Sequence, residues 1–201
     1  KNCVSGRREL VAFAKEHGIQ HDVCGKLIVA TDESELPRLE KIYQTGIANG
    51  IEGMEQVTPN RIREIEPYCV GIAGVRVGCT GIVDFRGATE KMAQIATLRQ
   101  PKSKVNLGEE FLGADQQERT TTVNTSKGTY TCRYVFFCGG LQSDRLARKD
   151  GANVKERIVG FRGDYYDLTD QGKHKVKHLI YPVPDPRFPF LGVHFTRMTD
   201  G

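Results

Sequence analysis

The sequence predicts a mixed α/β (α+β) fold, and three observations carry that prediction. Segments with apolar residues at helical spacing, such as Leu10, Val11, Phe13 and Ala14, alternate with short continuous apolar runs such as Leu27-Ile-Val-Ala30. Alternating segments on either side of the turn Ser126-Lys-Gly128 read as a β-meander. The run Val135-Phe-Phe-Cys138 stops at Gly139-Gly140 and passes into Gln142-Ser-Asp144. That is the pattern of a buried strand, a glycine turn and a polar helix start.

The elements follow in order. A helix begins near Ser5 and stops at Gly18, and residues 24–31 read as a strand. Asp32 with Glu35 forms a capping box before a helix over 36–49, which Gly50 ends. Thr58-Pro59 opens a short helix that closes before Pro67, with proline in its favoured first position. A strand spans 70–77, and the glycine-punctuated stretch 78–86 crosses into a helix over 87–99. Segments 104–107, 110–114, 120–125 and 129–137 make the meander and lead into a strand over 134–138. A helix spans 143–149, and 157–168 alternates as a long strand interrupted at Gly163. Strands over 179–183 and 190–196 flank the proline-stiffened loop 182–189. Beyond Thr196 the chain reads as a strand entering a turn with no returning strand, as in a piece of something longer.

Composition narrows the function classes. The chain has 201 residues, 38% of them apolar, and a net charge of +4 from 29 basic and 25 acidic residues. No apolar run approaches the ~18 residues of a membrane helix, and residues 1–3 read as leading straight into a helix, so a signal peptide is not expected. The basic cluster Lys173, His174, Lys175, Lys177 and His178 lacks interleaved aromatics, which argues against nucleic-acid binding and leaves an anionic small molecule open. The six cysteines form no C-x-x-C pair and none sits with histidines at zinc spacing. A reducing, cytoplasmic setting and no structural metal are expected.

The turn at Gly139-Gly140 has two readings. Two residues without Cβ atoms let helix and strand pack closely, or they let a nucleotide cofactor approach bare backbone. No G-x-G-x-x-G follows a strand within residues 1–201, so the usual pyrophosphate cradle is not among them.

Five stretches occur in a telling order: Cys24-Gly-Lys-Leu-Ile-Val-Ala30, Thr80-Gly-Ile-Val-Asp-Phe-Arg86, Gly139-Gly-Leu-Gln-Ser-Asp-Arg145, Phe161-Arg-Gly-Asp-Tyr-Tyr166 and Tyr181-Pro-Val-Pro-Asp-Pro-Arg-Phe-Pro-Phe-Leu-Gly-Val-His-Phe-Thr196. Together they closely resemble the L-2-hydroxyglutarate oxidase/dehydrogenase branch of the D-amino-acid-oxidase-like FAD-dependent oxidoreductases. The resemblance spans essentially the whole chain. It implies an FAD domain and a substrate domain interleaved in sequence, with 1–77 and 152–201 in the substrate domain and 78–151 in the FAD domain. The family's N-terminal Rossmann βαβ and its C-terminal flavin-contacting segment are not among these residues. Gly139 stands where alanine is commoner.

The implied reaction is oxidation of L-2-hydroxyglutarate to 2-oxoglutarate by hydride transfer to FAD, with oxygen or a quinone as electron acceptor. Another 2-hydroxy acid, glycerol 3-phosphate or an amino acid is the alternative substrate. Peripheral association with the inner face of a membrane stays open. The isolated chain is expected to be an inactive scaffold without flavin. His194 is the implied base, since histidine accepts protons near neutral pH; a hydrogen-bonded structural histidine is the plainer reading. Arg162 offers a planar fork for a carboxylate, or else a surface ion pair. Tyr166, which shares Arg162's strand parity, and Tyr181 are candidate pocket walls. Lys26 and Arg197 are candidates for a second carboxylate, or are simply solvated. Phe111, Gly139, Gly140, Leu141 and Gly163 are the implied FAD contacts.

Overall fold

Helix α1 (Asn2–Glu16) leads to the two-residue strand β1 (His21–Asp22), then β2 (Lys26–Ala30) and helix α2 (Leu36–Ala48). Strand β3 (Met54–Val57), helix α3 (Pro59–Ile65), β4 (Ala73–Val77), β5 (Ile82–Val83) and helix α4 (Phe85–Arg99) follow. A meander β6 (Phe111–Gln116), β7 (Thr121–Thr125) and β8 (Thr129–Cys132) precedes helix α5 (Ser143–Lys149), and β9 (Leu179–Pro182) comes last. The computed structural model describes residues 2–188, 190 and 192–199. It divides into two compact units, Lys1–Arg99 with Asp167–Gly201, and Gln100–Tyr166.

The first unit is built on a four-stranded sheet in the order β3-β4-β2-β9. Neighbours are antiparallel except β2 and β9, which run parallel. The continuous apolar run of β2 is explained by its central place, because a strand covered on both faces has no polar side. Ala30 packs with Leu39 of α2 and with Val75, Val77 and Val183, against which Ile28 also rests. Leu27 and Val29, of opposite parity, pack with Val57 and with Ile62 of α3. Each fully buried aliphatic contributes about 1.5–3 kcal/mol of transfer free energy.

Local chemistry starts both covering helices as expected. The Asp32 carboxylate accepts from the Ser34 N–H at 2.9 Å, while Glu35 Oε2 accepts from the N–H groups of Thr31 and Asp32. This capping box closes a 3₁₀ turn that runs into α2. Thr58 caps α3, with Pro59 behind it.

Helix α4 belongs to this unit because Ala88 packs against Ala14 and Ile19 beneath α1. The boundaries implied by the resemblance, 77/78 and 151/152, separate expected FAD-domain residues from expected substrate-domain residues. The compact units divide it at 99/100 and 166/167.

The second unit holds the meander β6-β7-β8, with a bulge between Phe111 and Gly113. Two expected strands do not form. Residues 134–138 and 157–168 form no ladder among the described residues. Their alternation marks faces, but a strand also needs a partner backbone, and none pairs with them. Segment 104–107 likewise joins no sheet. Of the expected strand 190–196, a single antiparallel bridge forms, Ile180 with Phe195. Pro189 and Leu191 of the long motif, and the final Asp200 and Gly201, lie outside the described residues.

Candidate active site

The sequence-identified residues fall into both compact units. In the first, the bridge between Ile180 and Phe195 does the positioning. Each residue donates its N–H to the other's carbonyl, at 3.1 and 2.9 Å. The next pair along, Tyr181 and His194, is therefore the close pair without hydrogen bonds, with its side chains on one face. Their ring centroids stand 4.7 Å apart. In the parallel register Tyr181 lies beside Ile28. Lys26, two residues from Ile28, shares that face, and its Nζ sits 4.3 Å from the Tyr181 ring centroid. Lys26, Tyr181 and His194 thus form a row, cation, aromatic and imidazole.

His194 Nδ1 lies 2.9 Å from the Gly192 carbonyl. A carbonyl only accepts, so Nδ1 carries the proton and Nε2 of the neutral ring keeps its lone pair. His194 is half-buried, with a nitrogen able to take a proton. Upstream, Asp185 accepts from the Arg187 backbone N–H at 3.0 Å and binds its guanidinium at 2.6 Å. These bonds pull the Asp185 carboxyl from its ordinary 3.8 down to about 2. Arg197 pairs with Asp22 at 3.0 Å.

The second unit holds the other candidates. Gly140 has φ +52, a left-handed conformation that favours glycine, and a Cβ there would meet nothing within 4 Å. A Cβ on Gly139 would lie 2.3 Å from Leu146 Cδ1, so helix α5 packs directly on the turn. Leu141 is 75% exposed beside it. The expected side-chain N-cap from residues 142–144 is absent: Gln142 makes no cap bond, and Ser143 Oγ instead donates back to the Gly140 carbonyl at 2.7 Å. The Phe111 ring packs edge-on to Phe137 at 5.0 Å, and its carbonyl accepts from Lys149 Nζ at 3.0 Å.

Arg162 was expected on a half-buried strand. It is 87% exposed at the side chain and binds its near neighbour Asp164 at 2.8 Å. Tyr166 is 90% exposed. A Cβ on Gly163 would make only ordinary contact with Tyr165, so nothing in this unit demands glycine there. The structure brings together Tyr181, His194 and Lys26 in one unit, and Gly139, Gly140 and Leu141 in the other. It gathers Arg162, Gly163 and Tyr166 into no pocket of their own unit.

One relationship was not read from the sequence. Glu66, fully buried, accepts from the backbone N–H groups of Lys177 and His178 and from His178 Nδ1. A lone acid after a helix carries no sequence signal that it will be buried.

The class is that of flavin-dependent oxidoreductases: the FAD dependent oxidoreductase family matches residues 1–201, and the chain belongs to it. Among named proteins, it is 40% identical to the L-2-hydroxyglutarate dehydrogenase of Indibacter alkaliphilus over 204 residues, covering 100% of this chain and 50% of that protein. It is 41% identical to the mitochondrial L-2-hydroxyglutarate dehydrogenase of Nematostella vectensis over 220 residues, covering 100% of this chain and 47% of that protein. The chain thus spans about half the length of the curated relatives it matches. The solved structure of the L-alpha-glycerophosphate oxidase from Mycoplasma pneumoniae with FAD bound aligns at a TM-score of 0.69 and 24% identity, over 91% of this chain and 47% of that one. It shares the fold. No helix among the described residues is long and apolar enough to cross a membrane.

Proposed function

We propose that the whole protein oxidises L-2-hydroxyglutarate to 2-oxoglutarate, with FAD as its cofactor and oxygen or a quinone as final acceptor. The row of Lys26, Tyr181 and His194 is the observation that carries this reading, and the names of the relatives agree with it. Oxidising a 2-hydroxy acid removes the hydroxyl proton and the hydrogen on C2 while C2–O becomes C=O. Bound FAD supplies the two-electron acceptor for the C2 hydrogen. His194 Nε2 takes the hydroxyl proton, and the Nδ1 bond to Gly192 holds the tautomer that leaves Nε2 free to do so. Tyr181 walls the site against His194.

In the other unit, Arg162 carries a planar fork suited to a carboxylate, held in this structure by Asp164, and Tyr166 is exposed. The residues present fit a flat cofactor: Gly140 bares backbone on an open side of its turn, next to the exposed Leu141. Gly139, Gly140, Leu141, Phe111 and Gly163 are the residues that would hold it. Phe111 already has its ring on Phe137 and its carbonyl on Lys149, so it acts by shaping the wall.

The test is an anaerobic substrate screen on the full-length protein, following flavin bleaching. L-2-Hydroxyglutarate is expected to bleach it. Bleaching by an amino acid, glycerol 3-phosphate or another 2-hydroxy acid in its place rejects the reading.

A further inference from the structure

We infer that the ammonium of Lys26 holds the second carboxylate of a dicarboxylate 2-hydroxy acid and thereby selects diacids over monoacids; the inference rests on the oxidation proposed at His194. Two cations were candidates for that role, and the structure separates them. Arg197 is engaged, its guanidinium 3.0 Å from the Asp22 carboxylate and also donating to the Lys177 carbonyl. Lys26 is in the opposite condition. Among the described residues no carboxylate lies within ion-pair distance of its Nζ, which rests instead over the Tyr181 ring.

An aromatic face is a weak counter-charge beside a carboxylate. The ammonium keeps hydrogen-bond donors that the ring does not satisfy. Burial pulls the Lys26 ammonium below its ordinary range, with desolvation as the cause and no anion to offset it. A half-buried cation without an anion is a site suited to one.

Its place in the row gives the length of the anion's carrier. One aromatic ring separates Nζ from the His194 imidazole, 4.3 Å on one side and 4.7 Å between ring centroids on the other. A five-carbon diacid, with a hydrogen bond of about 2.8 Å at each end, spans that ring from its hydroxyl at His194 to its far carboxylate at Lys26. A monoacid of equal length leaves the ammonium unpaired. Tyr181 then sets the distance between the reacting end and the selecting end.

The test compares L-2-hydroxyglutarate with L-2-hydroxypentanoate, its monoacid of equal chain length, on flavin-loaded full-length wild type and Lys26→Met. The readout is the ratio of kcat/KM for the two substrates, which does not depend on how much of a preparation is folded. Lys26→Met is expected to lower the ratio about 10- to 100-fold, the range of a hydrogen bond to a charged group. The loss should lie mainly in KM for the diacid. Lys26→Arg, which keeps the charge, should retain most of the ratio. Calorimetric binding of glutarate should weaken in parallel in Lys26→Met. An unchanged ratio, including equal losses on both substrates, overturns the inference, as does unchanged glutarate binding. Wild type that leaves L-2-hydroxyglutarate unoxidised overturns the proposed function instead, and glutarate binding still decides for or against Lys26.

Discussion

Glu66 and His178 join the end of α3 to the start of β9 across 112 positions of sequence: one carboxylate oxygen accepts from the His178 backbone N–H at 2.6 Å and from its Nδ1–H at 2.7 Å. The same carboxylate takes the Lys177 N–H at 3.0 Å. The strand that carries Tyr181 is thus tied down three residues before it.

Removing that acceptor strands several partly buried donors. Glu66→Ala is expected to destabilise the full-length protein by about 2–4 kcal/mol, and Glu66→Gln, which keeps one acceptor oxygen, by less. Chemical denaturation measures both. Equal stability of Glu66→Ala and wild type would show that water replaces the carboxylate.

Gly81 sits in the motif Thr80-Gly-Ile-Val-Asp-Phe-Arg86, and its reason is packing. A Cβ there would lie 2.3 Å from the Asp22 carbonyl oxygen and 2.8 Å from Val23 Cα, both backbone atoms that cannot rotate away. Gly81→Ala should cost about 1–3 kcal/mol by overpacking. Gly6, in α1 with nothing near a built Cβ, is the contrast: Gly6→Ala should stabilise by about 0.5–1 kcal/mol. Thermal unfolding of the two variants should move in opposite directions.

His194→Asn is expected to lower kcat about 10²- to 10⁴-fold, the range for a general base, while the full-length protein keeps its flavin absorbance. Loss of flavin in step with activity would make His194 a structural residue.

The Asp185–Arg187 pair gives a pH signature. The carboxyl is held below its ordinary 3.8, at about 2, by the Arg187 side chain first and its backbone N–H second. Because the folded value is the lower one, the pair's contribution is complete above pH 3.8 and is lost as pH falls through about 2. Carboxyl-carbon NMR titration of Asp185 should show a midpoint near 2, and one near 3.8 would mean the pair does not persist in solution. Arg187→Ala removes the larger cause and should raise the midpoint toward 3.8 without reaching it, because the backbone N–H of residue 187 still donates to the carboxylate.

Much of the fold was legible because local signals agreed with it. The Asp32–Glu35 capping box, Thr58-Pro59 and the apolar run of β2 each name a structure that depends on neighbours in sequence. Strand β3 was not legible: Met54–Val57 is a sheet-edge segment with polar Glu55 and Gln56 exposed, and it lacks the alternation that marks a strand. Residues 157–168 misled in the reverse direction, alternating without a ladder.

By itself the sequence determined the order of helices, the meander, the glycine turn at 139–140 and the motifs that place the chain in its family, because these rest on local periodicity and on residue types. Only the tertiary structure decided that Arg197 is matched by Asp22 while, among the described residues, no carboxylate pairs with Lys26, that Glu66 is buried, and that Tyr181 faces His194. Each of these depends on which strands pair and in what register, and the pairing of β2 with β9 joins backbones about 150 residues apart, beyond the reach of any local signal.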